Sequence, residues 1–142
     1  MIINIIIIIL LGISSFMDIK YRKISTRLLI VFGTAAILIL AEKMYRNGIV
    51  EIGRMFIGIL PGLLLLLFGK ITSESIGYGD GYIFVIIGIY IGFIRTVGIL
   101  ITALFLSALI SIFLLSIRKI NRHTELPFIP VVLISYFIQC IL

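Results

Sequence analysis

Long apolar runs broken by short polar clusters organise this chain. Six are legible, at residues 2–17, 28–41, 52–68, 82–94, 96–117 and 127–142. None shows the two-residue alternation of a membrane barrel strand, and most approach the roughly 17–25 residues that a helix needs to cross a hydrocarbon core. A helix satisfies its own backbone in lipid, so the pattern predicts an all-α, polytopic integral membrane bundle of about six transmembrane helices. The second and fourth runs are short. Each is expected to extend into its flanks, to tilt little, or to send Lys43 and Arg95 to the interface. Five spans with a re-entrant piece fit the same pattern.

Composition agrees. Of 142 residues, 62% are hydrophobic and 13% charged, with a mean hydropathy of +1.35, more apolar surface than a soluble domain of this size could hide. No polar stretch is long enough for a second, water-facing domain, so residues 1–142 are expected to form a single membrane-embedded domain. The first run has no basic n-region and no small-residue cleavage site, which favours a retained span over a removed signal peptide. Pro61-Gly62 in the third run suggests a kink or a close helix contact, while Pro127 and Pro130 open the last span. Cys140 is the one cysteine, so an intrachain disulfide or a CxxC site is excluded, and it reads as a small lipid-buried hydrophobe.

The net charge of +6 resides in the connections, where topology explains it without nucleic acid. The first, third and fifth connections hold eight basic residues: Lys20, Arg22, Lys23, Arg27, Lys70, Arg118, Lys119 and Arg122. The second and fourth hold four: Lys43, Arg46, Arg54 and Arg95. Cytoplasmic connections carry the excess, so the odd ones are expected inside and both termini outside. Asp18, closing the first run, and Asp80, just before the fourth, then share the cytoplasmic face.

The six acids are Asp18, Glu42, Glu51, Glu74, Asp80 and Glu125. Glu42, Glu51 and Glu74 read as solvated counterions of neighbouring bases. Asp18 ends an apolar helix, where the dipole disfavours a carboxylate by roughly 0.3–1 kcal/mol, a cost that Lys20, Arg22 and Lys23 could offset. Asp80 follows Gly77-Tyr78-Gly79, and its plain reading is a helix N-cap. That leaves the two glycines unexplained. Alternate glycines clear one edge of a short extended segment for another backbone. Two carboxylates held close share one proton, so that one serves as base toward water and the other as acid toward a carbonyl oxygen. Such a pair requires no metal and no cofactor. His123 is the sole histidine and lacks a partner ligand, and a dyad with Ser107 or Ser111 would take it out of a polar connection. Neither a phosphate loop nor a dinucleotide fingerprint is present.

Gly77-Tyr78-Gly79-Asp80 matches the GxGD motif of intramembrane aspartyl proteases. Asp18-Ile19-Lys20-Tyr21-Arg22-Lys23-Ile24 resembles the D-x-(basic)-x-(basic)-x-I-P-N segment of the type IV prepilin peptidases. Glu125-Leu126-Pro127-Phe128-Ile129-Pro130 is similar to their P-F-x-P opening of the last helix. Ile24-Ser25-Thr26 departs from I-P-N, and Tyr82 replaces the lysine often found two residues after the motif aspartate. The resemblance implies a short-form peptidase of the inner (cytoplasmic) membrane, cutting the basic leader from pilin-like precursors at the cytoplasmic face. Asp18 and Asp80 would be its catalytic pair, and Gly77 and Gly79 its motif glycines beside the substrate. Its partners would be prepilin-like precursors, lipid, and a pilus or secretion assembly machinery. Longer relatives add a cytoplasmic portion, often with cysteine pairs, that methylates the new N-terminus. This chain has neither, so no N-methyltransferase activity is expected. The alternative from another class is a small transporter or assembly subunit whose acids carry protons or ions, although carriers usually place such charges near the bilayer midplane.

Overall fold

The computed structural model describes residues 2–21, 24–48, 50–71, 77–117 and 126–141. Among them every regular element is an α-helix: α1 (Ile2–Tyr21), α2 (Thr26–Asn47), α3 (Val50–Ile71), α4 (Tyr78–Ile91), α5 (Phe93–Ser116) and α6 (Ile129–Ile141). Four are long and apolar enough to cross a membrane, over Ile3–Tyr21, Thr26–Arg46, Ile52–Ile71 and Phe93–Ser116. The helices outrun the apolar patterns where polar residues prolong them, because the backbone keeps its own bonds while long side chains reach outward. The second run thus becomes a helix of 22 residues, and Asp18 lies within the last turn of α1 and not beyond it. The fourth stays short. At 14 residues α4 rises about 21 Å, against a hydrocarbon core of about 30 Å.

Half of α4 is buried, which makes it the centre of the bundle. Its Ile83, Phe84 and Ile87 join Leu10 and Leu11 of α1 and Val132 of α6 in one apolar cluster. Glycines set how closely α3 meets it. A Cβ at Gly58 would collide with the carbonyl oxygen of Gly88, and a Cβ at Gly88 with that of Gly58. One turn on, Gly62 presses against the backbone of Val85, and a Cβ at Gly81 would stand 2.6 Å from the Leu66 side chain. Lipid tails are as apolar as leucine, so helices in a membrane gain by close packing, and small residues let backbones touch. Pro61-Gly62 therefore marks a close helix contact.

Two bonds hold the far end of α4. The Tyr90 hydroxyl donates to the Phe32 carbonyl at 3.1 Å, and Lys43 Nζ donates to the Tyr90 carbonyl at 3.2 Å. Lys43 thus turns inward to satisfy the last turn of α4, where the sequence suggested an interfacial position. Gly92, with φ of 82°, then reverses the chain directly into α5. Exposed Glu42 pairs with Arg46 at 2.7 Å, as its counterion role requires. The side chain of Glu51, and all of Glu74, His123 and Glu125, lie outside the described residues. Much of the bundle's exterior is apolar, with Phe16, Leu38, Phe56, Ile94, Phe105 and Phe113 all exposed, as a lipid-facing surface demands. Cys140 is exposed on α6, so lipid and not protein would cover it.

Replacing Gly88 with alanine forces α3 and α4 apart and should destabilise the protein by about 1–3 kcal/mol. Gly12→Ala meets nothing within 4 Å and should be neutral or stabilising. Thermal unfolding in detergent of the two variants compares them directly.

Candidate active site

Asp18 projects from the last turn of α1 toward the start of α6. Its Oδ2 accepts the backbone N–H of Ile129, the first residue of α6, at 3.1 Å. The cost of a carboxylate at the negative end of α1 is therefore offset by the positive end of another helix. The sequence pointed to neighbouring bases for this. Lys20 instead holds its ammonium over the rings of Phe16 and Tyr21, 5.9 and 5.2 Å from their centroids. Arg22 and Lys23 lie outside the described residues, and among those described Asp18 has no ion pair.

Asp80 stands in the first turn of α4, but it is not the N-cap. That place belongs to Gly77, in extended conformation (φ −60°, ψ 125°), whose carbonyl accepts the Asp80 N–H at 3.0 Å. Tyr78, Gly79 and Asp80 are already helical, so the expected extended glycine edge is confined to Gly77. The glycines still keep space clear. A Cβ at Gly79 would lie 2.6 Å from Ile24 Cδ1, and one at Gly77 would rest 3.4 Å from an Asp80 carboxyl oxygen. Ile24, in the connection between α1 and α2, thus covers Gly79.

A line of contacts ties the two aspartates together. Phe84, one helical turn beyond Asp80, meets the ring of Phe128 at a centroid distance of 6.4 Å, and Phe128 adjoins the Ile129 amide that Asp18 accepts. The two carboxyls also act on one another through their charge. The Asp80 carboxyl lies deeper than the residue's partial exposure suggests; burial, with the Asp18 charge second, raises its pKa from 3.8 to about 7. The N-terminus of α4 would favour the ionised form, but desolvation outweighs it. The fold therefore favours protonated Asp80, a contribution to stability that fades as pH rises from the ordinary carboxylate range through about 7.

Sequence reasoning singled out both aspartates and both glycines; it did not point to the contacts that Ile24, Phe84, Phe128 and the Ile129 amide make around them. Pro127 and Pro130 signalled a helix start; what that start would cap was not written locally. The Ser/His alternative falls outside the described residues with His123, and the Ser111 hydroxyl donates to the Ser107 carbonyl at 2.8 Å. Since Asp18 caps α6, Asp18→Ala should cost roughly 0.5–2 kcal/mol of stability, whereas Asp18→Asn keeps an acceptor oxygen and should cost much less. Unfolding midpoints in detergent would show the difference.

The model of the type IV leader peptidase family matches residues 5–116, a stretch that contains Asp18, Gly77, Gly79 and Asp80 and ends with α5. The segment that opens α6 lies beyond that match. No curated protein and no solved structure matches the chain. With most of its length matched and four long apolar helices, this multi-pass membrane protein belongs to the type IV leader peptidase family.

Proposed function

We propose that this leader peptidase is an aspartyl endopeptidase working at the cytoplasmic face of the inner membrane, and that Asp18 and Asp80 are its reacting pair. The supporting observation is the electrostatic coupling of two carboxyls from distant parts of the chain, at one end of the bundle, with Asp80 holding its proton to near neutrality. Its substrates are pilin-like precursors with a basic leader ahead of a hydrophobic helix, and the single membrane domain needs no metal or cofactor for the cut. A pilus or secretion machinery is the destination of the product.

The division of labour follows from the two environments. Protonated Asp80 donates to the scissile carbonyl oxygen while ionised Asp18 takes a proton from water. The resulting hydroxide adds to the carbonyl carbon and gives a tetrahedral diol. On collapse Asp80 recovers its proton from one diol oxygen, Asp18 delivers its proton to the departing nitrogen, and the carbon–nitrogen bond breaks. Both acids return to their starting forms. Gly77 and Gly79 keep side chains away from the peptide backbone beside Asp80, and Ile24 moves aside as the substrate enters.

Co-expression with pilin-like precursors should yield precursor shortened by its basic leader, without the added mass of a methyl group. Asp18→Asn and Asp80→Asn should each abolish the cut while the protein still inserts. Intact-mass spectrometry of the precursor reads all three, and normal processing by either single variant would sink the two-aspartate mechanism. Because Asp80 must enter the reaction protonated, cleavage should decline as pH rises through about 7. A rate that stays level from pH 6 to pH 9 would contradict that role.

A further inference from the structure

The first half of α1 is almost wholly aliphatic, yet its third quarter carries Ser14-Ser15, and Ser14 is fully buried. Four hydroxyls elsewhere in the bundle follow one habit. Thr96 donates to the Gly92 carbonyl, Thr102 to Gly98, Ser111 to Ser107 and Ser135 to Val131, each one turn back along its own helix. Ser14 does not do so. Its Oγ has no hydrogen-bond partner among the described residues, although the carbonyl of Leu10 lies one turn back. A buried hydroxyl that forgoes that bond is costly and calls for a reason.

Asp18 supplies the reason. It follows Ser14 by four residues, so the two share a face of α1 with Cβ atoms about 5–6 Å apart. Side chains on a helix lean toward its N-terminus, which tips the Asp18 carboxylate back over the turn that carries Ser14. One carboxylate oxygen is taken by the Ile129 amide; Oδ1 has no partner among the described residues. No other acid or base intervenes from α6, whose residues carry no charge.

We infer that Ser14 is a positioning residue for Asp18, its hydroxyl unpartnered at rest and turning to donate to Oδ1 when the site is engaged, so that the carboxylate is then held from two sides. The Ile129 amide fixes one oxygen and Ser14 the other, which aims the base at the attacking water. This inference rests on the two-aspartate reading above.

The test compares Ser14→Ala, Ser14→Thr and Ser14→Val with wild type and Asp18→Asn in the full-length protein, reconstituted with a precursor bearing a basic leader, a glycine and a hydrophobic helix. Ser14→Ala should unfold no earlier than wild type, because in the resting structure it removes only an unsatisfied hydroxyl. Its kcat should nonetheless fall about tenfold to a hundredfold with KM unchanged, the scale of loss expected when a reacting group is misplaced. Threonine and valine share one shape, so Ser14→Thr should outperform Ser14→Val by a similar factor. Wild-type kcat in Ser14→Ala, or equal rates for Thr and Val with Ala also unimpaired, overturns the role of Ser14 while an inactive Asp18→Asn leaves the aspartyl reading intact. An active Asp18→Asn overturns both.

Discussion

The bond from the Ile129 amide to Asp18 joins the end of the first helix to the beginning of the last, and the arrangement around it depends on that union. A carboxylate at the C-terminal end of an apolar helix is misplaced by itself. Set against the unsatisfied amides of another helix it becomes a cap, so the element that carries the charge and the element that stabilises it are different. Asp18 is thereby a structural tie between the two helices. The Phe84–Phe128 contact extends the tie to α4, which brings Asp80 to the same end.

Glycine contacts between α3 and α4 make the second constraint. With no solvent-driven force between helices in lipid, the backbone contact of Gly58 with Gly88, and of Gly62 with Val85, supplies attraction that only small residues permit. Asp80 heads the helix so gripped. Its height and rotation are fixed by α3 on one side and by the Tyr90 and Lys43 bonds at its far end. A carboxyl that is to keep its proton near neutral pH has to be held away from water, and α4, half buried, is the helix best suited to do it.

The helical class and the membrane setting were legible because both depend on the coarse pattern of long apolar runs. Gly77-Tyr78-Gly79-Asp80 and Asp18 stood out in the sequence because polar residues beside long apolar runs demand a reason. What escaped was non-local. That Asp18 would be stabilised by an amide 111 positions away, and not by Lys20, cannot be read from either neighbourhood. The N-cap assignment of Asp80 failed for a local cause: the helix begins four residues sooner than the apolar pattern suggests, so Gly77 takes the cap and Asp80 falls in the first turn.

The shortness of α4 carries one further consequence. It leaves about a third of the usual hydrocarbon thickness unspanned, and its chain reverses at once through Gly92 into a helix of 24 residues. Where membrane reaches the ends of α4, headgroups and water must therefore dip toward them, at a modest elastic cost for each ångström of mismatch. A peptide bond at the edge of any transmembrane helix is ordinarily protected by its hydrogen bonds and by lipid. Next to a dimple of this kind it meets both water and a weakened membrane, and acyl-chain length becomes a setting that tunes how readily the helix end unwinds.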